Sequence, residues 1–186
     1  MKLKFCRNLS LLVSILLLGV TVASAQLNSN TGTVTINANL PESLTVNLTN
    51  TTITIPLTEN TAANTQTSPA AGSNITTTWV MNPGRTAIKV FVYSSTANPL
   101  TNGTDTVPAT SIKISNNGIA GTYTAMAAGT PFGTGTQIGA TITINGANRS
   151  SSRTDTVFFE IDTTFNAQLS AGTYTGTLNV QAQATP

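Results

Sequence analysis

Residues 31–57 read TGTVTINANLPESLTVNLTNTTITIPL. Every second position in three successive runs is apolar: Val34, Ile36, Ala38 and Leu40, then Leu44, Val46 and Leu48, then Ile53, Ile55 and Leu57. Side chains of an extended backbone point alternately to its two faces, so each run sets its apolar residues on one side and mostly Thr or Asn on the other. A helix would need apolar residues three and four apart, and no part of the chain sustains that spacing. Pro41, which has no N–H to offer a ladder, sets the first run off from the second. The fold class that follows is all-β.

The same period recurs downstream. Ile75 to Met81 carries the only Trp, Trp79, and runs into Asn82-Pro83-Gly84, a strong turn sequence. In Ala87 to Tyr93, Ile88, Val90 and Val92 face one way and Lys89, Phe91 and Tyr93 the other. The two segments predict a central hairpin whose second strand is buried on much of both faces. Ser111 to Ser115, closed by Asn117-Gly118, predicts a short strand to which Thr122 to Ala127 pairs back. A Gly-rich stretch, 129–139, leads to a strand at Ala140 to Ile144 and a turn at Asn145-Gly146. Thr156 to Phe165 places Val157, Phe159 and Ile161 on one face and Phe158, Glu160 and Asp162 on the other. Leu169 to Gly172 turns the chain into a last strand, Tyr174 to Ala184. Residues 58–73 and 94–109 lose alternation and read as loops. About nine mostly antiparallel strands at short spacing predict a single immunoglobulin-like β-sandwich.

The N-terminal segment has a different character. Lys2, Lys4 and Arg7 precede an apolar run from Leu9 to Val22, then Ala23-Ser24-Ala25 and Gln26. That order of basic, apolar and small residues is a signal peptide, 1–25, and the apolar run is short for a membrane span. The expected product is a secreted domain, 26–186, in a periplasm, on a cell surface or outside the cell, with no membrane contact after cleavage. Cys6 is the only cysteine and precedes the apolar run, so the domain has neither a disulfide nor a thiolate metal site, and its core alone must hold it. The whole chain has a net charge of +2. Without the first 25 residues, Arg85, Lys89, Lys113, Arg149 and Arg153 stand against six acids, a net of −1. That balance has no basic footprint for nucleic acid. Thr contributes 37 residues and Asn 19. Such a Thr-rich, charge-poor composition suits pleated sheets, and it leaves little repulsion between sheet edges.

Ala171-Gly172-Thr173-Tyr174-Thr175-Gly176-Thr177-Leu178 resembles the closing hairpin of secreted bacterial pilin-like sandwiches, including spore coat protein U-type domains. The resemblance implies a sandwich completed by its last strand, with Gly172 at the bend and Tyr174 roofing the core. The chain lacks the cysteine pair usual in chaperone-assembled pilins. Leu40-Pro41-Glu42-Ser43-Leu44, Thr78-Trp79-Val80 with Pro83-Gly84-Arg85, and Ser152-Arg153-Thr154-Asp155-Thr156 look similar to uncharacterised secreted proteins of environmental bacteria, which implies no activity.

Candidate sites are few. There is no His, so His-dependent triads and His metal sites are excluded. Glu160 and Asp162, with Asp155 near the start of their strand, have the spacing of a carboxylate pair for glycoside hydrolysis, but they read more simply as a solvated strand face. Asn102-Gly103-Thr104-Asp105 offers oxygens to a cation and reads more simply as a β-turn. Trp79, Tyr93 and Tyr123 form a possible sugar-stacking set, although a lone Trp on a sandwich strand usually packs between sheets. Arg85, and Arg153 beside Asp155, suit surface ion pairs worth about 0–1 kcal/mol. Asn47, Asn50, Asn74, Asn102 and Asn148 each begin an Asn-x-Ser/Thr triplet, as composition alone would give. No catalytic, cofactor or metal residue is expected.

The reading that follows is a secreted structural or surface-associated protein, self-associating or adding a strand to another secreted β protein. The alternative is an extracellular carbohydrate- or surface-binding module using loops 58–73 and 94–109 on a rigid scaffold. Residues 31–40 read first as the opening strand of their own domain, and second as a strand that leaves it to complete another sheet.

Overall fold

An alternating segment becomes a strand only where a neighbouring backbone takes its N–H and C=O groups. The computed structural model describes residues 29–58, 62–65, 70–116, 122–127 and 135–186. The expected signal peptide, the Asn117-Gly118 turn and much of the Gly-rich stretch lie outside the described residues. The chain divides into two compact units, Met1–Asn39 and Leu40–Pro186. In the first, residues 29–39 form neither helix nor strand, and Val34 and Ile36 are 86% and 85% exposed.

In the second unit the described residues form twelve strands: β1 (Ser43–Leu48), β2 (Ala63–Thr65), β3 (Ser73–Val80), β4 (Ala87–Tyr93), β5 (Leu100–Thr101), β6 (Thr106–Val107), β7 (Ile112–Asn116), β8 (Thr124–Ala125), β9 (Thr136–Thr143), β10 (Ser150–Asp162), β11 (Thr175–Gly176) and β12 (Asn179–Thr185). They make three antiparallel sheets. One runs β1-β3-β10-β7-β8, with β2 also on β10; the others are β12-β4-β9 and β11-β5-β6. No α-helix occurs among the described residues, only 3-10 turns at Ala109–Ser111 and Thr163–Phe165.

The all-β expectation holds, and the faces of the main strands are as the alternation requires. Ile88, Val90 and Val92 are fully buried, as is Val157, with Phe159 and Ile161 close to it. One apolar cluster draws Ile75, Val157, Phe159 and Ile161 from the large sheet and Val90, Val92 and Ile138 from β4 and β9. A second gathers Trp79, Met81, Ile88, Ile142 and Ile144.

Pairing departs from the sequence reading in five places. Residues 31–40 are not a strand: alternation assigns faces, but no ladder forms there among the described residues. The expected strand at Ile53 to Leu57 is reduced to an isolated bridge at Thr54, and Pro56 removes a donor from its middle. The expected hairpin of β3 and β4 is a crossing between sheets. The Asn82 side chain accepts from the Gly84 amide at 2.9 Å and caps a turn that carries the chain from β3 in one sheet to β4 in another. Finally, the last strand is divided, because β11 pairs with β5 while β12 pairs with β4. The expected loops 58–73 and 94–109 also contain short strands, β2 and the β5–β6 hairpin.

Candidate functional site

Beyond β1 the chain keeps to the edge of β3 without joining it. The Thr49 amide donates to the Asn74 carbonyl at 3.0 Å and the Asn50 side-chain amide to the Gly72 carbonyl at 3.2 Å. Eight residues on, the Thr58 amide donates to Asn64 Oδ1 at 3.0 Å. Tied at both ends, the stretch lays Ile53, Ile55 and Leu57, all half-buried, against the first core cluster. A second stretch, 172–178, links the turn at Gly172 to β12. Its Tyr174 and Leu178 pack on the same cluster, and the Tyr174 hydroxyl donates to the Ser170 carbonyl at 2.9 Å.

These two stretches border a partly open groove of about 720 Å³, with Ile75, Val92, Phe159 and Ile161 among the core residues lining it. Among the described residues no charged side chain lines it. Ser73, at the start of β3, also lines it, and its buried hydroxyl has no hydrogen-bond partner among the described residues. A buried hydroxyl without a partner costs about 1–3 kcal/mol, and Asn50 with the Thr side chains of both stretches adds polar groups to the same lining. The volume falls within the range of binding clefts.

The residues singled out from sequence lie elsewhere and apart. Trp79 is 3% exposed in the second core cluster, and its indole N–H donates to the Asn148 carbonyl at 2.8 Å. Its ring is therefore core, not platform. Tyr93, at the end of β4, is half-buried and bonds Gln181 at 3.0 Å. Tyr123 is half-buried beside Glu160, and burial first, then that carboxylate, raises its hydroxyl above the ordinary tyrosine range.

Glu160 corrects the expectation of a solvated face. It is buried, because β10 is flanked by β7 and β2 at that position, opposite Lys113 and Thr65. Lys113 holds both acids, 2.7 Å from Asp162 and 3.4 Å from Glu160. Asp155 lies on the other face of β10, 2.8 Å from Arg153. Each of these carboxylates is thus paired with a cation. Asn102 forms a side-chain-capped turn, accepting from the amides of Thr104 and Asp105 at 2.9 and 2.7 Å, while Asp105 accepts from the Ser170 amide at 2.7 Å. Arg85 pairs with Glu42 at 3.0 Å. Among the described residues no three His, Cys, Asp or Glu side chains are grouped to hold a metal ion.

The Lys113 hydrogen bond first, then the Thr164 hydroxyl and amide, holds the Asp162 carboxyl down at about 2, against an ordinary 3.8. A folded-state value below the unfolded one stabilises at pH above about 4, and that contribution disappears as pH falls through 4 toward 2. With solvent screening the effect is about 1 kcal/mol. Urea titrations at pH 5 and pH 2.5 are expected to show the unsubstituted protein losing that much more than Asp162→Asn; equal losses would mean the pair is unformed in solution.

The groove was not legible in the sequence as a site. Its side chains carry only the alternation shared by every strand, and what distinguishes them is that two flanking stretches stop short of a ladder. Searches against protein-family models and curated proteins find no match for this chain. The class defined here is an antiparallel all-β protein with a groove bordering its core.

Proposed function

We propose that this chain is a secreted structural or surface-associated protein, an immunoglobulin-like sandwich that self-associates by adding residues 31–40 of one copy to another. The sandwich reading is supported by the core cluster that joins strands of two antiparallel sheets. Secretion is supported by the basic, apolar and small-residue order of residues 1–25. The observation that carries the assembly reading is the exposure of Val34, Ile36 and Leu40, at 86%, 85% and 78%, in an uncharged segment outside any strand. Three large apolar side chains in alternate positions, already extended in preference, are what a sheet lacking a strand would take up. The carbohydrate-binding alternative loses its main support with the burial of Trp79.

Burial of a Val or Ile side chain contributes about 1.5–3 kcal/mol. Aspartate at both Val34 and Ile36 is therefore expected to weaken association about 100-fold or more. Light scattering during size-exclusion chromatography, on the chain beginning at Gln26 and on its Val34→Asp/Ile36→Asp variant, tests this. High-mass species from the first and monomer from the second support the reading. Monomers from both remove it.

A further inference from the structure

Two Asn-Gly steps lie among the described residues, Asn102-Gly103 and Asn145-Gly146. We propose that Asn145 is a site of self-modification: the Gly146 backbone nitrogen displaces its side-chain amide, and the residue passes through a cyclic imide to aspartate or isoaspartate, while Asn102 is protected. In the first step the Gly146 nitrogen bonds to Asn145 Cγ and its proton passes to hydroxide. The bond from Cγ to Nδ2 then breaks, and the nitrogen leaves as ammonia with a proton from water. One water molecule opens either C–N bond of the imide. The balance is asparagine plus water to carboxylate plus ammonium, with no oxidant or cofactor.

The turn between β9 and β10 holds the reacting groups together. Asn145 Oδ1 accepts from the Ala147 amide at 2.9 Å, which folds the side-chain carbonyl back over the intervening Gly146 nitrogen and draws electron density from Cγ. The same donor is in place to stabilise the oxyanion as the bond forms. Among the described residues neither the Gly146 amide nor Asn145 Nδ2 has a hydrogen-bond partner, and both residues are exposed. Hydroxide therefore reaches the nucleophile, and the leaving group departs without breaking a contact.

Asn102 has the same neighbour in sequence and the opposite surroundings. Its Oδ1 is polarised by the Thr104 and Asp105 amides, but the other two reacting groups are tied. The Gly103 amide donates to Thr101 Oγ1 at 2.9 Å, and Asn102 Nδ2 donates to Ser170 Oγ at 3.0 Å. One net hydrogen bond corresponds to a factor of about two to ten in rate, so the two ties together protect Asn102 about tenfold or more. Modification at 145 has a route to the core. The Asn148 side chain accepts from the Asn145 amide and donates to the Thr143 carbonyl, both at 2.8 Å, and the Asn148 carbonyl takes the Trp79 indole N–H. Isoaspartate adds a methylene to the backbone inside this turn and so disturbs the anchor of the only Trp.

The test is incubation of the purified protein at pH 8.5, followed by tryptic digestion and tandem mass spectrometry, with fragment ions separating Asn145 from Asn117 in the same peptide. In the folded protein Asn145 is expected to convert about tenfold faster than Asn102 or more, and in concentrated urea the two rates converge. Equal rates in the folded protein, or a difference that survives unfolding, would overturn the inference. Gly146 lies outside the left-handed region and a Cβ there meets nothing within 4 Å, so Gly146→Ala keeps the fold while its methyl shields the nitrogen. It is expected to slow conversion at 145 about tenfold; an unchanged rate removes the Gly146 nitrogen as the attacking group. Thr101→Val frees the Gly103 amide and is expected to raise the Asn102 rate about fivefold, whereas no change would show that this tie is not what protects Asn102. The isoaspartate form, separated by its added charge on ion exchange, is expected to differ from Asn145→Asp in Trp79 emission. Identical spectra would sever the link from the turn to the second core cluster.

Discussion

Replacing Arg153 by Ala is expected to lower the unfolding free energy by about 3–5 kcal/mol, the cost of stranding a buried charge. Arg153 and Asp155 lie two apart on β10 and share the face that carries Val157, Phe159 and Ile161 into the core. Asp155 is only 3% exposed. The Arg153 guanidinium donates to its carboxylate from Nε and Nη2, both at 2.8 Å, and to the Ala140 carbonyl of β9 from Nη1. It thereby ties the large sheet to the sheet containing β9. The receiving backbone is irregular: the β4–β9 register shifts between Ile88 and Val90, and Gly139 sits in the left-handed region at φ +64°. A Cβ at Gly139 would lie 2.7 Å from Asp155 Oδ1, so the bulge and the ion pair are built around each other.

The variants separate charge from packing. Arg153→Ala leaves the Asp155 carboxylate buried without its cation. Arg153→Lys restores charge but not the fork that reaches carboxylate and β9 together, so it recovers only part of the loss. Arg153→Ala/Asp155→Ala is expected to cost less than the sum of the single substitutions, because neither charge is then left alone. Urea unfolding of the unsubstituted protein, Arg153→Ala, Arg153→Lys, Asp155→Ala and the double variant gives the comparison. A loss below about 1 kcal/mol for Arg153→Ala would reduce the contact to the surface pair that the sequence suggests.

Gly72→Ala is expected to lower stability by about 2–4 kcal/mol, for two separable reasons. Gly72 has φ +77°, where a side chain costs about 1–2 kcal/mol. A Cβ there would also meet the Val157 carbonyl oxygen and Thr156 Cγ2 at 2.9 Å, and a backbone oxygen in a central strand cannot rotate away. Gly103 provides the control, with φ +91° and nothing within 4 Å of a built Cβ. Alanine at 103 carries only the backbone cost. Thermal midpoints should fall about 5–15 °C for Gly72→Ala and markedly less for Gly103→Ala. Equal shifts would show that the close approach at Gly72 is absent.

These two sites also show where sequence reasoning fell short. Arg153 beside Asp155 reads as an ordinary charged pair, yet a signal was present: both residues share parity with Val157, Phe159 and Ile161 and so belong to the core face. Glu160 has the opposite parity and reads as solvated. It is buried because β7 and β2 flank it, which its own strand does not encode. Ala87–Tyr93 was legible to the residue, since a run apolar on both faces and bounded by turns has one reading as a strand. Residues 53–57 carry as clean an alternation and form no ladder.

The sequence by itself determined that this is an antiparallel-sheet protein, which side of the main strands β3, β4 and β10 meets the core, and where the turn at Asn82-Pro83-Gly84 falls. Each is a local property, set by the two-residue period of an extended backbone and by the φ preferences of Pro, Gly and Asn. Only the tertiary structure decided that β3 and β4 part into different sheets, that β12 closes on β4 rather than on its neighbours in sequence, and that residues 51–57 and 172–178 leave a groove between them. Those outcomes rest on partners far apart along the chain, such as Ser73 with Val157 and Ala87 with Thr185. Alternation repeats in every one of these segments, so that pattern does not distinguish one partner from another, and the choice falls to how the apolar faces fit together in three dimensions.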